Sequence, residues 1–286
     1  MQYLNFYGAR PLMKKNDLRR CTSSFVKNGY VCLRKIFSNE LVDNVVEDIK
    51  KKLVEEAAAL EGIKVKKNPN IYHYNDSPRV IEAWQWSKNV RAISLNTVVM
   101  DFIRDFYERE PIPFSTINFI KATEQPLHSD SLHFGSIPDG YLVGAWVALE
   151  DIHKDAGPLI VAEGSHIDPI FTLDKIGLRI PRSLAELKSN NTRYEEYLEA
   201  RIKKIGYNVV APNMKKGDVL LWQANLFHGS NKIVDQNLTR LSQVTHYQFE
   251  GTTHYNPNYS FPGKEKFAFR DLSKFDIRDP SNYKRG

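Results

Sequence analysis

The hexapeptide Gln125-Pro126-Leu127-His128-Ser129-Asp130 places an imidazole and a carboxylate two residues apart. On an extended backbone, residues two apart point to the same face. His128 and Asp130 can therefore aim into one interior while Leu127 and Ser129 point away. Together they supply two thirds of the 2-His-1-carboxylate triad, which leaves coordination positions on Fe(II) open for other molecules. The tripeptide alone fits equally well with a histidine and an aspartate sharing a hydrogen bond at a loop.

A second cluster shifts that balance. Lys216-Gly217-Asp218-Val219-Leu220-Leu221-Trp222 reads as a turn followed by a strand, and Leu226-Phe227-His228-Gly229-Ser230 closes it. His228 is a third ligand candidate, brought from a distant segment as an antiparallel roll requires. Arg240-Leu241-Ser242 then opens the next strand with two polar side chains on one face. A buried guanidinium needs an anionic partner, and its forked donors match a carboxylate. The distal carboxylate of 2-oxoglutarate is such a partner, its 2-oxo acid end chelating iron. An ordinary ion pair is the alternative for Arg240.

The elements that must carry these residues are legible around them. Ser38 caps a helix whose Leu41, Val42, Val45, Val46, Ile49 and Leu53 recur at three- and four-residue spacing. Before it, residues 25–33 read as a helix end, a glycine turn at Gly29 and a short strand. Beyond about residue 110, segments 114–122, 141–149, 158–162, 208–211, 218–222 and 240–249 are rich in β-branched and aromatic residues, with Gly, Pro, Asp and Asn between them. This spacing predicts a sandwich or double-sheet roll. A charged helical stretch within 168–206 interrupts the strands and is expected to form a lid or rim.

With 286 residues, 42% hydrophobic and 26% charged, the composition is that of an ordinary folded chain that needs no staples. The expected organisation is a single domain over 1–286. It has a helical part to about residue 110, a core over about 111–250 and a tail over 251–286. No apolar run approaches bilayer length, and the first residues lack a secretory h-region, so no membrane association is expected. Cys21 and Cys32 are expected as free thiols in a reducing compartment, which favours a cytoplasmic location. The net charge of +6 is spread in short clusters outside any nucleic-acid motif. No nucleic-acid partner is expected, and an anionic ligand is mildly favoured.

The ordered series resembles the phytanoyl-CoA dioxygenase family of Fe(II)/2-oxoglutarate oxygenases. It comprises Thr123 to Phe134, Leu142 to Asp151, Gly157 to Val161, Gly164-Ser165-His166, Gly217-Asp218, His228-Gly229-Ser230 and Arg240, with Asn28-Gly29-Tyr30 and the helix after Ser38. The resemblance implies a mainly β fold with flanking helices around a double-stranded β-helix (jelly-roll, cupin-like) core. It also implies that His128, Asp130 and His228 bind iron, that Arg240 anchors 2-oxoglutarate, and that Ser230 and Trp146 touch the cosubstrate. The His228-to-Arg240 interval is one residue longer than is usual in the family, implying a longer hairpin. Asp130 occupies the position that related halogenases give to a small residue, which disfavours halogenation. The implied reaction consumes O2 and 2-oxoglutarate, releases succinate and CO2, and by default hydroxylates a small-molecule substrate.

Other residues are weighed against structural roles. Ser242, beside Arg240 in strand parity, and Gln125, ahead of His128, are further cosubstrate candidates. His133 can reach a substrate or sit in an exposed turn. His246 shares the parity of Arg240, although a satisfied core histidine is the commoner outcome. Trp84 and Trp86 share a face if extended and read chiefly as core. His166 reads as structural. Substrate-determining loops are expected at 64–90, 131–140, 168–206 and after Gly251. Two alternative functions stay open: a non-catalytic jelly-roll binding protein with a vestigial site, and a cupin-like metalloenzyme that does not use 2-oxoglutarate.

Overall fold

The computed structural model describes the backbone of residues 15–62, 71–74 and 77–283. The first residues, the basic run Lys64 to Lys67 and part of the expected loop 64–90 lie outside the described residues.

The chain opens with α1 (Lys15–Asn28), β1 (Tyr30–Leu33), α2 (Asn39–Gly62), β2 (Ile71–Tyr74), β3 (Ser77–Ile81), α3 (Lys88–Ser94) and α4 (Thr97–Tyr107). It continues through β4 (Pro111–Phe119), β5 (Gly135–Ile137), β6 (Val143–Ala148), β7 (Leu159–Ala162), α5 (Leu184–Ile205) and β8 (Val209–Val210). It ends with β9 (Val219–Gln223), β10 (His228–Ser230), β11 (Ser242–Phe249), β12 (Thr253–Tyr255) and β13 (Phe269–Arg270). A seven-stranded sheet runs β1-β9-β6-β11-β4-β3-β2, a second runs β10-β7-β8, and a third runs β13-β12-β5. Each strand pairing is antiparallel.

Period-two alternation gives the main sheet two different faces. Val143, Ala145, Val147, Val219 and Leu221 point outward into a core shared with α2, α3 and α4. Trp146, Ala148, Leu220, Trp222 and Val244 point inward against Leu159 and Val161 of the second sheet. Polar residues on the outward face of β11 are paired: the Gln243 amide donates to the Val90 carbonyl, and the Tyr247 hydroxyl to that of Ser94. Side chains cap several helices, at Ser38 as the sequence predicts. Ser38 accepts from the Leu41 amide at 3.2 Å, and Asn96 and Ser183 cap α4 and α5. Gly29 adopts φ +81°, and a Cβ there would meet the His166 ring at 2.5 Å, so this turn requires glycine. His166 is thereby structural, as expected.

Three expectations change. Trp84 lies in a 3-10 turn, Ala83–Gln85, rather than a strand, and packs fully buried in the helix-side core, with Trp86 against it. The segment 168–206 is not a lid. Tyr194, Leu198 and Ile202 of α5 pack with Phe171, Leu173, Leu132 and Phe227, with Leu127 against them, so the insertion buttresses the His128 and His228 segments from behind. The strand expected to open at Arg240 begins at Ser242. No disulfide joins Cys21 and Cys32, and both are half-buried. No described helix is long and apolar enough to cross a membrane.

Candidate metal and anion site

His128 and His228 face one another as a single antiparallel bridge, each amide donating to the other's carbonyl at 2.9 Å. His228 begins β10, whereas His128 lies outside any regular strand, and Asp130 opens a 3-10 turn, Asp130–Leu132. Ser129 between them is extended, with φ −114° and ψ 134°, so the alternation expected of a strand holds across this one residue. His128 and Asp130 turn inward. Ser129 turns the other way, donating to the Ala224 carbonyl and the Asn225 side chain.

One donor atom from each of His128, Asp130 and His228 lies within 4.8 Å of the others, and all three residues are buried. Each imidazole is fixed by its own backbone. Nδ1 of His128 lies 2.9 Å from the Pro126 carbonyl, and Nδ1 of His228 lies 3.0 Å from that of Leu226. A carbonyl only accepts, so each Nδ1 carries the proton and each Nε2 keeps its lone pair for a metal. Burial, and then the neighbouring His228, push His128 down to about 3, leaving it neutral and able to ligate. Burial works against the charge on Asp130. The His228, His246 and His128 rings outweigh it, and the carboxyl is held below its usual range.

These residues line a cavity of about 230 Å³ between the two sheets. Its wall includes Gln125, Trp146, Ser230 and Arg240 at one end and His133, Phe134 and His246 at the other. Arg240 is 3% exposed, and no carboxylate among the described residues pairs with it. Its Nε has no partner, and neither has the Nε1 of Trp146. Burial first, and then Arg79, lower Arg240 to about 10, which leaves it a cation at neutral pH. Two guanidinium groups lie against the Phe119 ring, Arg79 at 5.4 Å and Arg240 at 5.6 Å from its centroid. The buried Arg240 guanidinium at one end of a largely apolar cavity makes that end a receptor for an anion. The approach to Arg240 is held by Glu150, which accepts from the Leu241 amide at 2.6 Å and the Thr239 hydroxyl at 2.8 Å.

Of the further sequence candidates, Gln125, Trp146, Ser230, His133 and His246 reach the cavity and Ser242 does not. The Ser242 hydroxyl points at the Arg240 carbonyl, 3.4 Å away. Ser230 lines the wall while donating to the Gly157 carbonyl at 3.1 Å. His246, expected in the core, has one nitrogen 3.4 Å from Asp130 and its Nδ1 without a partner. The bridging side chains Trp222 and Arg79 escaped the sequence reading. Their types carry no site signal, and their position depends on strand register. The expected loops contribute unequally: 131–140 supplies His133 and Phe134, 64–90 supplies Arg79, and 168–206 supplies nothing to this wall.

Comparison with known proteins fits this geometry. The chain is 26% identical over 171 residues to the peroxisomal phytanoyl-CoA dioxygenase of Bos taurus, covering 55% of this chain and 46% of the bovine protein. It is 28% identical over 114 residues to the human counterpart, covering 39% and 30%. The chain thus spans less than half the length of these curated relatives. Among solved structures, the non-haem α-ketoglutarate dependent carbocyclase SnoK from nogalamycin biosynthesis superposes with TM-score 0.61 at 17% identity, covering 82% of this chain and 85% of that one. EctD from S. alaskensis, solved with 2-oxoglutarate and 5-hydroxyectoine, superposes with TM-score 0.60 at 20% identity, covering 93% and 87%. These likenesses identify the fold as the expected double-stranded β-helix with flanking helices. The model of the phytanoyl-CoA dioxygenase (PhyH) family matches residues 25–239, and the chain belongs to that family.

Proposed function

We propose that this protein is an Fe(II)- and 2-oxoglutarate-dependent oxygenase, with His128, Asp130 and His228 as the metal ligands and Arg240 as the anchor for the cosubstrate's distal carboxylate. The observation that carries this reading is the buried Arg240 guanidinium. It has no acidic partner among the described residues, and it stands at one end of the cavity whose wall holds the three-ligand cluster. The donor set suits Fe(II): two imidazole nitrogens and one carboxylate oxygen would hold the ion and leave coordination positions for other molecules.

Bound iron with 2-oxoglutarate supplies the oxidising chemistry, which consumes O2, converts 2-oxoglutarate to succinate and CO2, and oxidises the substrate. The protein's own residues bind, orient and exclude water. The Pro126 and Leu226 carbonyls lock the two imidazoles. Arg240 forms a charge-assisted fork with a carboxylate, and Trp146 walls the cosubstrate. Apolar walls from Ile117, Leu159 and Val244 keep the cavity dry.

The substrate is a small molecule, and hydroxylation is the expected outcome. Formation of succinate from 2-oxoglutarate, measured with and without Fe(II), tests the reading. Succinate that requires Fe(II) and disappears in Asp130→Ala is expected. Protein that neither binds Fe(II) nor turns over 2-oxoglutarate would contradict it.

A further inference from the structure

The strand register aligns four residues across the main sheet. Ser115 on β4 lies opposite His246 on β11, His246 opposite Gly144 on β6, and Gly144 opposite Trp222 on β9. Adjacent strands are about 4.8 Å apart, so His246 and Trp222 stand about 10 Å apart at the backbone. Their rings nevertheless approach to 6.5 Å between centroids, because the position between them carries no side chain. A Cβ on Gly144 would lie 2.2 Å from Cε2 and 2.6 Å from Nε1 of the indole. Gly144 is therefore the seat of Trp222, and any side chain there must displace the ring. A bulge follows directly, between His246 and Tyr247, a feature that re-aims neighbouring side chains.

Both rings converge on the same atom. Trp222 Nε1 donates to Asp130 Oδ2 at 2.9 Å, and His246 Nε2 stands 3.4 Å from that oxygen. The first is a well-formed hydrogen bond, and the second is longer than one. The other oxygen, Oδ1, faces His228 Nε2 at 3.8 Å. The Trp222 ring also lies against the His228 ring, with centroids 4.5 Å apart, so one indole touches two of the three ligand residues.

We propose that Trp222 and His246, meeting over Gly144, are positioning residues that hold the outer oxygen of Asp130 and leave Oδ1 as the carboxylate's one metal-facing atom. This rests on the ligand assignment above. A carboxylate gripped at one oxygen binds as a single ligand in a fixed direction, and loss of such outer contacts typically weakens metal affinity about 10–100-fold.

The test is the Fe(II) affinity of the full chain under anaerobic conditions, read by competition with a chromophoric chelator, with the melting temperature recorded for every variant. Trp222→Phe keeps a ring but loses the N–H, and is expected to weaken Fe(II) binding about 10-fold or more. Gly144→Ala is expected to do the same by displacing the indole. Combined with Trp222→Phe, Gly144→Ala adds little, because the smaller ring leaves room for the methyl group. His246→Phe weakens binding several-fold, and His246→Gln, which restores an N–H donor, recovers part of it. Phe102→Leu, in the helix-side core, lowers the melting temperature without changing Fe(II) affinity.

Trp222→Phe and His246→Phe within twofold of wild type would overturn the inference, as would a Gly144→Ala cost that is equal in both backgrounds. If Gly144→Ala does not fold, the comparison of Trp222→Phe, His246→Phe and His246→Gln decides alone. Wild-type protein that does not bind Fe(II) would overturn the functional reading and this inference together. Binding by wild type with unaffected variants would overturn this inference only.

Discussion

At the residue scale, the ligand cluster was legible because its two local members obey a short rule. An extended Ser129 is enough to put His128 and Asp130 on one side, whatever the surrounding element is. His228 was legible as the end of a glycine-punctuated strand segment. Arg240 stood out because an arginine just ahead of a buried strand needs an anionic partner. Arg240→Ala is accordingly expected to weaken 2-oxoglutarate binding to the Fe(II)-loaded protein about 100-fold, the scale of losing one partner of a buried charge pair. Isothermal titration under anaerobic conditions measures it, and an unchanged affinity would remove Arg240 from the cosubstrate site. Arg240→Lys is expected to recover only part of the loss, since a point charge replaces a fork. Trp222, His246 and Gly144 were not legible as a unit. Three residues at positions 144, 222 and 246 meet only through the pairing of β9, β6 and β11, and sequence spacing carries no information on that register.

At the element scale, the strand segments beyond residue 110 were read closely, because alternation and turn residues mark them locally. The short strands β5, β12 and β13 were not. Two or three residues carry no period, and they form a sheet only by pairing across the chain. The insertion was recognised as helical from its composition, but its placement depends on which face it buries. Spacing of four between Tyr194, Leu198 and Ile202 gives α5 one apolar stripe, directed at Leu132 and Phe227 behind the ligand segments.

Arg201 on this helix makes a bidentate pair with Asp168, at 2.9 and 2.8 Å. The Arg201 hydrogen bonds hold the Asp168 carboxyl below its usual range. A carboxyl with a depressed folded pKa stabilises the fold above its unfolded value, about 3.9, and that contribution is lost as pH falls through the lower folded value. Arg201→Ala is therefore expected to lower the melting temperature by a few degrees at pH 7, with the gap to wild type closing below about pH 4. A gap that persists at low pH would show that Arg201 acts through packing instead.

At the scale of the whole molecule, the main sheet divides the labour between its faces. The outward face binds helices α2, α3 and α4 and supplies the larger apolar core. The inward face supplies the cavity, with Arg240 beyond one end of β11 and His246 further along the same strand. Fold class was legible from the texture of the sequence, and family membership follows from the match over residues 25–239.

On the proposed reading, one cavity binds a metal at His128, Asp130 and His228 and a dicarboxylate between that metal and Arg240. The most direct measurement is anaerobic titration of 2-oxoglutarate into the protein with and without Fe(II), repeated on His228→Ala and Arg240→Ala. One Fe(II) per chain is expected, with 2-oxoglutarate binding that depends on it, loss of both in His228→Ala, and weakened 2-oxoglutarate binding with intact Fe(II) binding in Arg240→Ala. Binding of 2-oxoglutarate that is indifferent to Fe(II), or Fe(II) binding that survives His228→Ala unchanged, would contradict the proposed reading.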